Sequence, residues 1–322
     1  MTQFFNVQIL LLGVLLLFCA TDSVYSADKS IANGFQGFVN IYEPSGIEQL
    51  PDGRFIVVED ESDFALSVVC FESNGQVTEQ RLQTTGKLAD LEGITQGKNG
   101  FIYAITSHAK TKKGKRSRNR EQLIRFRLNS ANQVTDISVN RSLRDAIGQK
   151  LPSLKNGNTK FDDDLSFNIE GLSFDANKNN LLIGIRSPVE GKKSVIVVLK
   201  NPNSLFDGNQ KLPISDKLIL LNLKGGGIRS ITYDAHLQGY LIASRKPGNS
   251  FKLWFWNGKH KSKPRPVKIH GLKKLRHLEG ITSAKLPNGK TGIVLVSDDG
   301  NASKNRPGHF VFINYEQLVF ND

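Results

Sequence analysis

The sequence is poor in cysteine, with two in 322 residues, Cys19 and Cys70. Cys19 lies in an N-terminal apolar run, so if that run is removed the mature chain cannot form an internal disulfide. A pair of thiols is also too few for a cysteine-based metal site, which needs several at fixed spacing. Stability must therefore come from buried apolar side chains, and the chain is long enough for one large domain of this kind.

Long apolar runs are equally scarce. Residues 7–20 form one, but it is shorter than the roughly 20 residues that span a bilayer. Val24 and Ser26 occupy the small-residue positions ahead of a cleavage point. This predicts a signal peptide over residues 1–26, removed after Ser26, and an exported mature domain over residues 27–322. Residues 1–6 contain no Lys or Arg, so an uncleaved N-terminal membrane anchor is the alternative.

Negative charge is in short supply, because 30 acidic residues face 43 Lys and Arg and the net charge is +13. Such a balance predicts a salt-dependent attraction to anionic partners. The candidates are a small anionic molecule, an acidic polymer and the surface of an anionic membrane, which the protein would contact peripherally. A secretory signal argues against nucleic acid as the physiological partner. We expect a monomer.

What the sequence does contain is a repeat. Asp90-Leu-Glu-Gly-Ile-Thr95 recurs as Asn168-Ile-Glu-Gly-Leu-Ser173 and as His277-Leu-Glu-Gly-Ile-Thr282. Two weaker copies start at Pro44 and Gly227, and they place Ser45 and Arg229 where the others have Glu. Each copy opens a series of short β-branched and aromatic runs separated by Gly, Asn and Asp, which is typical of antiparallel strands.

Five repeats of about four strands predict an all-β protein, a single β-propeller of five four-stranded blades. The fifth repeat supplies only three strands. Residues 37–42 form a candidate N-terminal strand that would complete this blade and close the ring. The longest interval between repeats contains residues 141–160, where residues 143–147 favour a short helix. A degenerate extra blade there is the alternative, so six blades is the second interpretation.

Several motifs together resemble those of a known family. They are the Glu-Gly copies at Glu92 and Glu170, Ser107-His108 followed by a basic loop, Gly184-Ile-Arg-Ser-Pro188, Gly227-Ile-Arg229, Leu253-Trp-Phe-Trp256 and Ser297-Asp-Asp-Gly300. The chain resembles the domain of unknown function 3616 family, mostly exported bacterial proteins. The resemblance implies a propeller similar in style to esterase-like phytases and calcium-dependent lactonases. It implies no established activity, so the site residues are argued from this sequence.

The repeat also predicts where a site lies. In a propeller blade the innermost strand begins on the face where the antiparallel second strand ends, so residues at both places surround one mouth of the central channel. The inner strands contribute Glu92, Glu170, Arg229 and Glu279. The second strands contribute Glu59, Asp60, Ser107, His108, Arg186, Arg245, Asp298 and Asp299.

The chemistry of these residues leaves two interpretations of the carboxylates. Glu92, Glu170 and Glu279 could hold Ca²⁺, which prefers several oxygen ligands. They could instead pair with arginines or bond backbone N–H groups of neighbouring blades. Arginine side chains suit phosphate or carboxylate groups, so we assign a ligand-binding role to Arg186, Arg229 and Arg245. We assign the same role to Asp60 and Asp298, which are predicted to lie at the same mouth. An anion held by these arginines and bridged through a cation to Glu fits the set best.

Catalysis has less support in the sequence. His108 is the one histidine at a predicted mouth position and could act as a general base; the alternative is a hydrogen-bonded histidine at a strand end. Ser107 is not part of a Gly-x-Ser-x-Gly elbow. The leading hypothesis is a binder of an anionic small molecule that hydrolyses an ester, phosphoester or lactone with metal help. The competing hypothesis is a non-catalytic scaffold.

Two basic segments, residues 110–120 and 259–276, are predicted to lie on the same face as the mouth. They would steer an anionic ligand or, in the scaffold hypothesis, dock an acidic polymer or an anionic membrane. The alternative is a pair of solvated loops that aid solubility.

Overall fold

The computed structural model describes residues 34–60, 65–84, 88–150, 167–190, 192–207, 213–248, 250–272, 275 and 277–321. The predicted signal peptide over residues 1–26 lies outside these ranges. Within them, no helix has the length and apolar character needed to cross a membrane.

The described chain is mainly short strands. In order these are β1 (Gln36–Gly37), β2 (Pro44–Gln49), β3 (Phe55–Glu59), β4 (Leu66–Phe71), β5 (Val77–Arg81), β6 (Leu91–Gln96), β7 (Ile102–Thr106), β8 (Leu123–Leu128), β9 (Val134–Asn140), β10 (Asn168–Asp175), β11 (Asn180–Glu190), β12 (Lys193–Lys200), β13 (Ile219–Leu221), β14 (Gly227–Asp234), β15 (Gly239–Arg245), β16 (Lys252–Trp256), β17 (Arg265–Ile269), β18 (Leu278–Lys285), β19 (Thr291–Ser297), β20 (His309–Asn314) and β21 (Leu318–Phe320). One α-helix, α1 (Leu143–Lys150), follows β9.

The strands form five antiparallel sheets, which we number as blades in chain order. Blade 1 is β2–β5, blade 2 is β6–β9, blade 3 is β10–β13, blade 4 is β14–β17 with β21, and blade 5 is β18–β20 with β1. The first strand of each blade contacts the first strand of the next, and β18 returns to β2. The structure is therefore the predicted five-bladed propeller. The six-blade interpretation is wrong, because the segment after β9 begins with α1 instead of a sheet.

The N-terminal segment closes the ring, although differently in detail from the prediction. Strand β1 pairs with β20 through Gln36 and Gly37 alone, so residues 38–42 do not extend the strand as expected. They run beside blade 1 instead, where carboxylates of β3 and β5 accept hydrogen bonds from their backbone. Glu79 accepts hydrogen bonds from Val39 N at 2.6 Å and Asn40 N at 2.8 Å. These bonds tie the last blade to the first.

The C-terminus adds a second closure that the sequence pattern does not predict. Strand β21 leaves blade 5 and pairs with β17, so blade 4 has five strands. Phe320 lies edge-on to Phe255, with ring centroids 5.5 Å apart. The two closures thus lie on either side of blade 5, with β21 joining it to blade 4 and the segment that follows β1 joining it to blade 1.

The core lies between blades, because every sheet is covered on both faces by its neighbours. Helix α1 inserts Leu143 and Ile147 into the apolar cluster shared by blades 2 and 3. Trp254 and Trp256, predicted to pack between blades, are both buried on β16.

Candidate functional site

A β-bulge occupies the same position in all five inner strands. The regular pairing of each inner strand with its neighbour skips one residue near the strand start, and that residue is Ser45, Glu92, Glu170, Arg229 or Glu279. A bulge releases a residue from the ladder and redirects its side chain. The five repeat residues therefore leave the regular pairing, and three of the four predicted to lie at the mouth, Glu170, Arg229 and Glu279, are in direct contact.

In four of the five inner strands a glycine follows the bulge residue, and the close approach of inner strands requires it there; blade 4 has Ser230 instead. A Cβ on Gly280 would lie 2.5 Å from a methyl group of Val296 and 3.1 Å from the Cα atom of Gly46. A Cβ on Gly93 would lie 2.9 Å from the Cβ atom of Leu172 in blade 3. In the Glu-Gly pair of the repeat, Glu thus supplies a charged group at the mouth, and Gly allows the inner strand to lie close to the inner strand of the next blade.

One half of the mouth is an ion-pair network that joins blades 3, 4 and 5. Arg186 donates to Glu170 at 2.6 Å. Arg229 lies 3.1 Å from a second oxygen of Glu170 and donates to Glu279 at 2.9 Å. Glu170, Glu279 and Arg229 are all buried. In this arrangement the arginines already neutralise Glu170 and Glu279, so the pairing interpretation describes these two carboxylates better than a shared calcium site.

The other half of the mouth is a carboxylate group made by Asp60, Asp90 and Glu92. One oxygen of each lies within 4.8 Å of the others. The backbone holds them together, because Asp90 N donates to Asp60 O at 2.6 Å and Ser107 N to Asp90 O at 2.9 Å. Arg120 binds both oxygens of Asp90, one of them at 2.8 Å.

Glu92 differs from the other two members of this group. Its side chain is 9% exposed, and among the described residues it has no hydrogen-bond or ion-pair partner. Burial raises the pKa of Glu92 well above its usual value, and the nearby charges of Glu170, Asp90 and Asp60 raise it further. A buried carboxylate surrounded by other carboxylates is costly unless a proton or a cation neutralises it.

Excess negative charge extends across the mouth. Burial raises the pKa of Glu279 to about 8 even though Arg229 opposes the shift. Burial also raises the pKa of Asp298 to about 7, with smaller contributions from Glu43 and Asp299. Among the described residues, carboxyl groups of Asp60, Asp90, Glu92, Glu170, Glu279 and Asp298 lie in this region together with guanidinium groups of Arg120, Arg186, Arg229 and Arg245. In this set the carboxyl groups outnumber the guanidinium groups, although the protein as a whole is basic.

Arg245 reaches the mouth beside an aromatic ring. Its guanidinium carbon lies 5.1 Å from the centroid of Phe251, and that of Arg229 lies 5.6 Å from the same ring. Phe251 is buried and begins the third strand region of blade 4. The ring holds both arginines by cation–π contact and adds an apolar surface to the site.

His108 is buried completely, in contrast to the exposed mouth position that its role as a general base requires. Its Nδ1 lies 2.8 Å from the carbonyl oxygen of Thr106, and its own carbonyl oxygen accepts from Arg144 on α1. Burial lowers the pKa of His108 to about 4, so the ring is neutral near pH 7. The geometry favours the alternative of a hydrogen-bonded strand-end histidine, and a proton-transfer role stays a prediction.

The first basic segment is partly used inside the protein. Arg116 donates to Glu121 at 2.7 Å and to Asp145 at 2.8 Å, and Arg120 holds Asp90 as described. This reduces the charge available to an outside polyanion. The second segment is only in part a loop, because it contains β17. Docking of either segment to an acidic polymer or membrane stays a prediction.

Sequence reasoning missed Asp90, Arg120 and Phe251. Asp90 opens the repeat itself, two residues before Glu92, and its acidic side chain is a signal that could have been used. Arg120 lies thirty residues away in a basic loop, and nothing in its local sequence distinguishes it from neighbouring arginines. Phe251 looks like an ordinary strand aromatic.

Comparison with known proteins adds little to this picture. No family model matches the chain and no curated protein matches it, so membership in the domain of unknown function 3616 family is not confirmed. Among solved structures, the chain is similar to a soluble aldose sugar dehydrogenase from Escherichia coli, with 10% identity, a TM-score of 0.46, and 86% of this chain and 98% of that chain covered. It is also similar to an oxidoreductase from Thermus thermophilus, described as a glucose dehydrogenase, with 12% identity and a TM-score of 0.43, and with 88% of this chain and 99% of that chain covered. For virginiamycin B lyase from Staphylococcus aureus the identity is 14% and the TM-score 0.34, with 83% of this chain and 71% of that chain covered. Likeness at this level transfers no activity.

Proposed function

We propose that this propeller binds a small anionic molecule at the mouth, through a divalent cation held by Asp60, Asp90 and Glu92. The observation that supports this most strongly is Glu92, a carboxyl group that is nine-tenths buried among other carboxylates with no partner in the described part of the chain. Carboxylate oxygens are the ligands that Ca²⁺ and Mn²⁺ prefer. A cation there would remove the repulsion that raises the pKa of Glu92.

The arginines then supply the second half of the binding site. Because Arg186 and Arg229 are already paired with Glu170 and Glu279, a bare anion would compete with two buried carboxylates. An anion bridged to a cation gains a second attachment and does not need to displace them. Arg186 and Arg245 are half-buried, and each guanidinium group has several N–H donors, so both can also donate to a phosphate or carboxylate group at the mouth.

Hydrolysis of an ester, phosphoester or lactone is the reaction that such a site would support. The bound cation would polarise the substrate oxygen and lower the pKa of a bound water. Among the residues of this chain, Asp298 is better suited to move the proton than His108. Asp298 lies half-exposed at the mouth with its pKa near 7, which is the range that favours general acid–base catalysis near neutral pH.

Calcium titration followed by thermal melting tests the cation. We expect the melting temperature to rise by several degrees at a Ca²⁺ concentration about 100-fold above Kd. The Glu92→Gln variant should lose this response. Glu72→Gln is the matched control, since it removes the same charge from an exposed hairpin turn and should respond as the parent does. If no divalent ion shifts the parent protein, the cation proposal is wrong.

Turnover is tested separately with p-nitrophenyl esters, p-nitrophenyl phosphates and lactones in the presence of Ca²⁺ or Mn²⁺. A hydrolase of the proposed kind loses most of its activity in Asp298→Asn and in Glu92→Gln but not in Glu72→Gln. Calcium binding without turnover of any substrate would leave a binding protein and remove the enzymatic half. Full activity in Asp298→Asn would exclude that residue as the proton carrier.

A further inference from the structure

A second pocket lies at the opposite end of the inner strands, about three residues further along each strand than the bulge residues. Its volume is about 360 Å³, within the range of small-molecule pockets. Polar and apolar surface contribute about equally to its wall, and the polar residues used below are Glu48, Gln96, Thr232, Tyr233, Thr282 and Lys285. Three strand residues span about 10 Å, so this pocket is separate from the acidic mouth.

The position of Glu48 follows from an inter-blade contact that three of the blades make three residues after the bulge. In blade 2 the hydroxyl of Thr95 accepts from Phe174 N of blade 3 at 3.1 Å. In blade 5 the hydroxyl of Thr282 accepts from Gln49 N of blade 1 at 3.1 Å. In blade 1 this position is Glu48, and one of its oxygens accepts from Gln96 N at 3.1 Å. A hydroxyl would satisfy the contact, so the carboxyl group brings an additional oxygen to the pocket.

That second oxygen is weakly engaged. It lies 3.4 Å from the hydroxyl of Thr282, which is long for an O–H···O hydrogen bond. Burial raises the pKa of Glu48 to about 7, because no cationic side chain is paired with it in the described structure. Lys285 also lines the pocket and is exposed. The pocket wall therefore contains one acidic and one basic group.

Other polar groups of the wall have their hydrogen-bonding capacity available. Over the residues that the structure describes, no side-chain partner is found for the hydroxyl of Thr232, the amide of Gln96 or the phenol of Tyr233. The ring of Tyr233 is 40% exposed and packs edge-on against Tyr240 at 5.3 Å. Leu50 and Pro51 add a small apolar surface at the rim.

We propose that this pocket binds one ring of an uncharged sugar or a cyclic polyol of similar size. Such a ligand presents several hydroxyl groups, each both donor and acceptor, and Glu48, Gln96 and Thr232 offer the complementary mixture. The exposed aromatic ring can cover the apolar C–H face of a sugar. Charged ligands fit less well, because the wall offers one acidic and one basic side chain and no cluster of either sign to neutralise them.

Saturation-transfer NMR with glucose, galactose, N-acetylglucosamine and myo-inositol tests the proposal on the full protein. We expect saturation transfer to at least one of them, with a Kd in the millimolar range. Thr232→Val and Gln96→Ala should each weaken binding roughly tenfold through loss of a hydrogen bond. Ser173→Ala is the matched control, since Ser173 occupies the same strand position as Thr232 but does not line the pocket. If Thr232→Val and Gln96→Ala have lowered melting temperatures, Tyr233→Ala, which changes an exposed side chain, tests binding at this pocket instead.

The same experiment separates this pocket from the acidic mouth. Glu92→Gln should keep sugar binding unchanged, whether or not the cation proposal holds. Binding that is lost in Glu92→Gln and kept in Thr232→Val would place the ligand at the mouth and overturn the proposal. Absence of saturation transfer to all four compounds would contradict the proposal, and the pocket would then be only a water-filled end of the channel.

Discussion

Removal of Arg229 is the perturbation with the largest expected effect on the mouth. Arg229 is nearly buried and lies 3.1 Å from Glu170 and 2.9 Å from Glu279. In Arg229→Met, Arg186 still neutralises Glu170, but Glu279 is left buried without a counter-charge. Breaking a buried ion pair on one side costs about 3–5 kcal/mol. We therefore expect the free energy of unfolding to fall by about that amount at alkaline pH.

The pH dependence gives the direction an independent check. The pKa of Glu279 in the folded protein is already raised to about 8, so the contribution of Glu279 to the stability of the parent decreases as pH rises from the unfolded value near 4.5 to about 8. Without Arg229 this pKa rises further, and the variant continues to lose stability above pH 8 where the parent does not. The difference between the two proteins should be larger at pH 9 than at pH 6.5.

Denaturant unfolding followed by the fluorescence of buried Trp254 and Trp256 measures both effects. The double variant Arg229→Met/Glu279→Gln should recover most of the loss at pH 9, because it removes the unpaired charge. Arg127→Met is the control, since it breaks an exposed pair with Asp136 that contributes less than about 1 kcal/mol. A loss in Arg229→Met as small as in this control, or no recovery in the double variant, would refute the reasoning.

Three further changes test other parts of the structure. The buried His108 takes up a proton only on unfolding, so its own contribution to stability should fall by up to about 3 kcal/mol between pH 6.5 and 4. In denaturant titrations the stability of the parent relative to His108→Asn should therefore decrease by that amount over this range. Thr95→Val removes an inter-blade hydrogen bond and should cost about 1–2 kcal/mol in the same assay, with a change near zero contradicting the contact. Gly280→Ala forces a Cβ atom against Val296 and should cost about 1–3 kcal/mol by thermal melting.

Most of the fold could be predicted because the copies of the repeat occupy equivalent positions in the ring and have similar surroundings. Residues such as Glu92 and Glu279 recur with Gly behind them, since every inner strand faces the same axis and the same close neighbour. Of the two closures, the N-terminal one was predicted, but with a longer strand than the two residues of β1, and the C-terminal one was not predicted. Strand β21 has three residues, and a segment this short carries too little pattern to be recognised. Its pairing is decided by the rest of the ring.

The candidate site could be predicted in composition but not in pairing. The topology places Glu170, Arg186, Arg229 and Glu279 at one mouth, yet which carboxylate each arginine takes depends on side-chain reach across blade boundaries. His108 shows a different limit. It follows β7 as a mouth residue should, but its φ angle of 56° and the cover from α1 turn it into the protein, and neither is visible in local sequence.

The most direct test of the proposed cation site is an anomalous difference map from crystals grown with Mn²⁺ or a lanthanide. A peak within coordination distance of Asp60, Asp90 and Glu92 is the predicted result. A peak between Glu170 and Glu279, or no peak at the mouth in crystals that hold the ion elsewhere, would contradict the account.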